Sequence, residues 1–288
     1  MIRFGPAGNS ESFRTEGYKS SVQVPEYLGK KGLNAFEYQC GRGVNIGAEK
    51  AAELGLEAAK YGIALSIHAP YYISLSSVDE EKRINSINYI LQSCAAARAM
   101  GADRIVFHSG SAGKMEREAA LELACDTLQK VMRAVDENGY SDIILCPETM
   151  GKMNQLGSLE EVMTLCGVDA RLIPCIDFGH LNARTQGGLK TREDFAQVLD
   201  TMEQSIGRER TRVFHSHFSK IQYSKGGEVR HLTFADSIYG PEFEPLAELV
   251  AERGYAPRFI CESDGLQAED AIEMMKIYGE KAVKGADR

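Results

Sequence analysis

The chain has 288 residues, of which 43% are hydrophobic and 26% charged, a composition that suits a globular protein with a full core. Its formal net charge of −8 argues against a protein that coats nucleic acid, although bound cations would change the charge of one face locally. No run of eighteen apolar residues is present, which excludes a membrane span, and the first residues lack the apolar stretch of a secretory signal.

Short apolar runs alternate with segments of helical periodicity along the chain. The runs predict eight strands, at 2–5, 35–40, 64–68, 104–108, 143–148, 172–177, 212–217 and 258–262. Apolar residues at i, i+3 and i+4 predict helices at 48–61, 80–100, 114–138, 158–166, 192–206, 243–253 and 268–278. Because eight strand–helix units close a barrel, we predict an α/β fold, a single-domain (β/α)8 TIM barrel over residues 1–288. An open doubly wound sheet is the alternative, but no G-x-G-x-x-G motif follows the first strand.

Nothing in the sequence indicates a domain boundary. Two polar, glycine-rich stretches, 186–190 and 222–227, are expected to be mobile loops on the face that carries the candidate ligands. The seven cysteines form no C-x-x-C pair, and several lie inside apolar runs, which is typical of reduced, buried cysteine. We therefore expect a cytoplasmic protein, and no obligate protein partner is evident.

All six histidines lie at or just past the end of an apolar run, and three carboxylates end further runs. These nine residues are His68, His108, His180, His215, His217, His231, Glu148, Asp177 and Glu262. A single histidine at such a position is more often an ordinary hydrogen-bonded residue, but nine at one end of a parallel barrel favour a metal site. Imidazole and carboxylate ligands without nearby cysteine suit Zn²⁺, Mn²⁺ or Fe²⁺. Since a carboxylate can bridge two metals and paired metals clamp a phosphoryl oxygen, the pattern predicts a polynuclear site suited to phosphodiester hydrolysis, with Glu148 as the bridge.

Seven segments resemble the motifs of the endonuclease IV family and occur in that family's order. They are HAPYYISLSS (68–77), FHSGS (107–111), PETMG (147–151), CIDFGH (175–180), the H-x-x-x-x-K of 215–220, RH (230–231) and CES (261–263). The resemblance implies a TIM barrel with a trinuclear zinc cluster that cleaves DNA on the 5′ side of abasic sites. The expected cofactor is therefore two or three Zn²⁺ ions, with Mn²⁺ or Fe²⁺ as alternatives, and the expected partner is DNA that contains abasic sites.

The same resemblance implies roles for individual residues. The first zinc would be held by His68, His108 and Glu148, the second by Glu148, Asp177, His215 and Glu262, and the third by His180 and His231. Glu148 and Glu262 would be the catalytic carboxylates, one bridging two metals and the other orienting the hydroxide between them. Tyr71 corresponds to a tyrosine that lines the DNA-bound site, and Arg42 is the nearest match to a loop residue that enters the DNA.

The sequence departs from the family at the third metal. The family has an aspartate two residues before the last histidine, and Val229 stands there in this chain. Glu228 is adjacent, but neighbouring residues of an extended segment point to opposite sides, so Glu228 would need a local backbone change to replace the aspartate.

Two other functions remain open. A sugar isomerase or epimerase of the xylose-isomerase-like barrel superfamily resembles the chain in the tetrad Glu148, Asp177, His215 and Glu262, which would hold one divalent metal. Such an enzyme has no need of His68, His108 and His231, which favour the nuclease. A non-catalytic metal-dependent binding protein is the third possibility, and the retained carboxylates argue against it.

Overall fold

The backbone closes into a barrel of eight parallel strands, and a computed structural model describes residues 1–286 of it. The strands of the chain are β1 (Arg3–Pro6), β2 (Ala35–Gln39), β3 (Ala64–His68), β4 (Arg104–Phe107), β5 (Ile144–Pro147), β6 (Cys175–Asp177), β7 (His215–Phe218), β8 (Lys220–Ser224), β9 (Gly227–Leu232) and β10 (Arg258–Cys261). Two four-stranded sheets, β1-β10-β7-β6 and β2-β3-β4-β5, make up the barrel. Parallel bridges from Ala7 to Glu37 and from Glu148 to Cys175 join the sheets on both sides. The predicted TIM barrel is confirmed, and residues 287–288 of the predicted span lie outside the described residues.

Helices cover the outside of the barrel. They are α1 (Glu11–Thr15), α2 (Val24–Lys30), α3 (Ala48–Tyr61), α4 (Glu80–Met100), α5 (Arg117–Glu137), α6 (Leu159–Cys166), α7 (Phe178–Arg184), α8 (Arg192–Ile206), α9 (Arg208–Thr211), α10 (Glu244–Arg253) and α11 (Gln267–Ala286). Local signals fix several starts, since Ser158 with Glu161 and Thr191 with Asp194 form capping boxes at α6 and α8. Among the helices of residues 1–286, none has an apolar stretch that would span a lipid bilayer.

The stretch 222–227 is mostly strand, not the mobile loop predicted from its composition. The strands β8 and β9 pair antiparallel, with only a tight turn between Ser224 and Gly227. The hairpin lies on the loop that follows β5, where the Glu228 amide donates to the Gly151 carbonyl at 3.2 Å. The polar, glycine-rich composition predicted a loop, but the segment is a strand because its backbone hydrogen bonds are made with the neighbouring strand of the hairpin. The other stretch, 186–190, follows α7, and Gln186 Nε2 donates to the Ser224 carbonyl at 2.8 Å.

The main apolar core lies between the barrel and its helices, whereas the barrel interior is partly polar. A small apolar cluster of Ala7, Ala35 and Ile260 lies inside, separate from the main core. Since residues i and i+2 of a strand point to the same side, β7 directs both His215 and His217 inward, and both are fully buried.

An ion pair lies at the N-terminal end of the barrel, opposite the end that carries the candidate ligands. Arg258, 7% exposed, donates to Asp103 through two nitrogens at 2.7 and 3.0 Å. Burial raises the pKa of Asp103, but the charge of Arg258 outweighs it and lowers that pKa below 3.8.

The Asp103–Arg258 pair gives a pH-dependent stability. A carboxyl whose pKa is lower in the folded state stabilises the fold above its unfolded pKa, and the effect is lost as pH falls through the folded value. We expect Asp103→Asn to lower Tm at neutral pH, and the difference from wild type to shrink once the pH is below 3.8. Melting curves of both proteins across this range test it, and a constant difference would contradict the charge-pair explanation.

Candidate metal centre

Histidine and carboxylate side chains from successive strand ends meet in and directly beneath a pocket of about 340 Å³ at the C-terminal end of the barrel, with the fully buried Asp177 and His217 below its lining. They form three groups, in each of which the donor atoms all lie within 4.8 Å of one another. The groups are His68, His108 and Glu148; Glu148, Asp177, His217 and Glu262; and His180, Glu228 and His231. Glu148 belongs to the first two, so those two groups adjoin. We call them the first, second and third groups.

The first group joins the ends of β3, β4 and β5. His68 Nε2 and His108 Nε2 lie 3.2 and 3.1 Å from the same oxygen, Glu148 Oε2. His68 Nδ1 donates to the Ala69 carbonyl at 2.9 Å, so that Nε2 faces the group and carries the lone pair whenever the ring is neutral. Burial lowers the pKa of His68, but Glu148 outweighs it and raises that pKa. Two imidazoles around one carboxylate oxygen leave a position that a proton or a cation must fill.

The second group is rich in carboxylates. His217 Nδ1 lies 2.9 Å from Glu148 Oε1 and 3.6 Å from Glu262 Oε2. Asp177 Oδ1 accepts the His180 amide at the start of α7. Asp177 Oδ2 is buried and accepts no hydrogen bond from the described residues, because the nitrogen nearest to it, His180 Nδ1 at 3.1 Å, donates to the Thr149 carbonyl. Burial raises the pKa of Asp177 to about 6, and the nearby Glu262 and Glu148 carboxylates contribute. A buried carboxylate oxygen that accepts no hydrogen bond, beside two further carboxylates, fits a divalent cation.

The histidine of the second group is His217 and not His215, which was predicted for that position. In the sheet, His217 pairs with Asp177 and Ile260, whereas His215 pairs with Cys175 and Arg258, two residues deeper in the barrel. His215 Nε2 lies 2.9 Å from Glu37 Oε2, and burial lowers the pKa of His215 to about 4. His215 is thus a neutral interior residue that lies deeper in the barrel than the second group.

A further set of donor atoms lies below the second group. His215, His217 and Cys175 come within 4.8 Å of one another, and all three are fully buried. Burial raises the pKa of the Cys175 thiol well above its usual range, which keeps it neutral. His217 is shared with the second group, and its Nδ1 faces that group.

The third group lies between α7 and the hairpin. His180 Nε2 and His231 Nε2 lie 3.3 and 4.0 Å from the two oxygens of Glu228. Each ring is held through its other nitrogen, since His180 Nδ1 donates to the Thr149 carbonyl at 2.9 Å and His231 Nδ1 lies 2.8 Å from Ser219 Oγ. Both rings therefore present Nε2 to the group.

A β-bulge brings Glu228 into this group. Tyr223 pairs with Glu228 and Gln222 pairs with Arg230, so Val229 is the extra residue. The bulge places Glu228 and His231 on the same side of the strand and leaves Val229 51% exposed. This bulge is the local backbone change that Glu228 needs in order to take the place of the family's aspartate.

Two glycines permit the close approach of the hairpin. A Cβ on Gly151 would lie 2.6 Å from Glu228 Cβ, and a Cβ on Gly227, whose φ is +92°, would lie 2.1 Å from the Gly151 carbonyl oxygen. Side chains at these positions would push Glu228 away from the histidines.

The two residues predicted to contact DNA lie in neighbouring loops. Tyr71 is 56% exposed and stacks on His108, with ring centroids 5.7 Å apart. It lines both the pocket and an adjoining groove of about 510 Å³. Arg42 is exposed. Its loop contacts the loop of Tyr71, because the Tyr71 amide donates to the carbonyl of Gly41, the residue before Arg42, at 3.0 Å. Arg42 is not among the residues that line the pocket.

Comparison with known proteins gives two kinds of relative. A family model described as "Xylose isomerase-like TIM barrel" matches residues 26–278. An uncharacterized protein of Methanocaldococcus jannaschii is 32% identical over 282 residues, which cover 97% of this chain and 98% of that protein. A probable endonuclease 4 of Mycoplasma pneumoniae is 30% identical over 192 residues, 65% of this chain and 63% of that protein.

The chain has the same fold as solved structures of both kinds, an epimerase-like protein and an endonuclease IV. A D-tagatose 3-epimerase-like protein superposes with a TM-score of 0.74 at 18% identity and covers 99% of each chain. Endonuclease IV from Thermus thermophilus superposes with a TM-score of 0.65 at 19% identity, covering 98% of this chain and 99% of that one. At these identities the likeness concerns the fold, so the choice between the two chemistries depends on the pocket.

Proposed function

The chain belongs to the xylose isomerase-like TIM barrel family, and we propose that within it the chain is a metal-dependent phosphodiesterase that cleaves DNA 5′ to abasic sites. The observation that carries the proposal is the presence of three adjoining donor groups in and directly beneath one pocket. The second group alone would serve a one-metal isomerase. The first and third groups add His68, His108 and His231, histidines that such chemistry does not need, together with His180 and Glu228.

The donor sets fit divalent cations. Nitrogen and carboxylate donors suit Zn²⁺, with Mn²⁺ and Fe²⁺ as alternatives. Asp177 Oδ2, which accepts no hydrogen bond, leaves a position for an ion in the second group. When bound, such ions polarise phosphoryl oxygens and lower the pKa of water. Two or three of them also add about four to six positive charges to the pocket of an acidic protein.

The carboxylates differ in how they face the pocket. Glu148, 1% exposed, connects the first and second groups, so it fixes their separation. Glu262 is 16% exposed and lies 3.6 Å from His217 Nδ1 and 3.9 Å from His231 Nδ1, between the second and third groups. From there its carboxylate would accept the proton of an attacking water and orient it.

The mouth of the pocket suits a nucleotide. Tyr71 offers an exposed ring on which a base or sugar can stack, and Lys152 in the lining offers a charge for a phosphate. The seven cysteines are all unpaired, which supports a location in the cytoplasm.

One experiment separates the nuclease from the sugar epimerase. Metal content is counted by mass spectrometry, and the same preparation is incubated with a duplex carrying one abasic site and, separately, with ketohexoses. We expect two or three ions per chain and a nick on the 5′ side of the abasic site, lost with a chelator and restored by Zn²⁺. One ion, no nick and an epimerised sugar would overturn the proposal in favour of the alternative. Full metal content without turnover of either substrate would favour a binding protein.

A further inference from the structure

Glu37 is a buried carboxylate in the interior of the barrel. It lies on β2, is fully buried, and accepts hydrogen bonds from Ser66 Oγ at 2.9 Å and Gln39 Nε2 at 3.1 Å. Its other close contacts are the rings of His215 and His217, each with Nε2 at 2.9 Å. None of these partners is a lysine or arginine. A buried carboxylate without a cationic partner carries a large desolvation cost.

The ring of His217 lies between two carboxylates. Nε2 faces Glu37 Oε1 and Nδ1 faces Glu148 Oε1, both at 2.9 Å. A neutral imidazole carries one N–H, and an ionised carboxylate can only accept. If Glu37 receives the N–H at Nε2, the lone pair of Nδ1 points into the second group, where a cation would bind.

We propose that Glu37 is a positioning residue that fixes the tautomer and rotation of His217 and so strengthens cation binding in the second group. The inference rests on the proposed metal site, but it does not depend on whether the substrate is DNA or a sugar.

The fold itself does not require this carboxylate. Glu37 helps to close the barrel through its backbone bridge to Ala7, which any side chain at that position would allow. For stability alone, an apolar residue could fill a buried site as well as a charge. The placement of the carboxylate on His217 is therefore better explained by its effect on the ligand.

The test compares Glu37→Gln and Glu37→Leu with wild type. Glutamine keeps the length and can still accept from His217 Nε2, but it loses the charge, whereas leucine loses the acceptor as well. We expect the dissociation constant for Zn²⁺, measured by competition with a chromogenic chelator, to rise about 10-fold in Glu37→Gln and about 100-fold in Glu37→Leu. The visible spectrum of the Co²⁺-loaded protein should change in the leucine variant, since one ligand is no longer oriented.

Ser216→Ala is the matched control. Ser216 lies on β7 between the two histidines and is fully buried. Its hydroxyl contacts main-chain carbonyls only, those of Ile176 at 3.0 Å and His217 at 3.2 Å, and it makes no hydrogen bond to Glu37 or to the His217 ring. It should lower the Tm of the metal-free protein and leave Zn²⁺ affinity unchanged. Glu37 variants that lower the Tm of the metal-free protein but bind Zn²⁺ like wild type would overturn the inference. Should Glu37→Leu fail to fold, the isosteric Glu37→Gln still decides, because its expected loss is in affinity.

The outcomes distinguish this inference from the proposed function. A wild type that binds Zn²⁺ but leaves abasic DNA intact removes the nuclease proposal, while the affinity series still tests Glu37. A wild type that binds no divalent cation overturns both.

Discussion

Replacing His217 with alanine is expected to lower cleavage of abasic DNA by more than about 100-fold, above the usual loss from an outer-shell partner. His217 is the only imidazole in the second group, where Nδ1 lies 2.9 Å from Glu148 Oε1. Its removal leaves Glu148, Asp177 and Glu262 as three carboxylates without a nitrogen donor. The cation of that group should therefore bind weakly, and the metal count should fall by one.

The matched variant is His215→Ala. His215 is two residues earlier on the same strand, is equally buried and points to the same side, but its contact is with Glu37. We expect it to lower Tm and to keep the metal content and most of the cleavage rate. Both variants are compared by metal counting, thermal melting and nicking rate. Loss of metal in His215→Ala with retention in His217→Ala would mean that the register of β7 is shifted by two residues.

Much of the fold could be predicted because most of its helices have one apolar face and their starts carry local capping signals. The predicted strand 64–68 and helices 48–61, 80–100 and 192–206 coincide with β3, α3, α4 and α8. The convergence of His68, His108 and Glu148 also followed from local information. Each lies at the end of a strand, and a parallel barrel brings those ends to one face.

Other features of the site depend on contacts that the sequence does not encode locally. His215 and His217 are two residues apart on one strand, so both point to the same side, and strand alternation does not tell which of them is the ligand. Their depth in the barrel is set only by the pairing of β7 with β6 and β10. Glu228 reaches the third group because of a bulge against β8. Glu37 belongs to an alternating strand, and alternation does not tell which side faces the barrel axis.

The third group gives the second large effect. Replacing Glu228 with alanine is expected to remove one bound cation and to lower cleavage by about 100-fold, the scale of losing one group that stabilises developing charge. Glu228 is the carboxylate between His180 Nε2 and His231 Nε2, and its side chain is 13% exposed. Both rings contribute to the group through nitrogens whose orientation is fixed by Thr149 and Ser219.

Val229→Asp is the informative counterpart to Glu228→Ala. It restores the aspartate of the family at that sequence position, yet the bulge leaves residue 229 51% exposed and Glu228 already fills the group. We expect unchanged metal content and rate for Val229→Asp alone, and no rescue when it is combined with Glu228→Ala. Rescue in the double variant would mean that the bulge moves by one residue when its occupant changes. Wild-type cleavage by Glu228→Ala with one ion fewer would show instead that the first two groups suffice for the reaction.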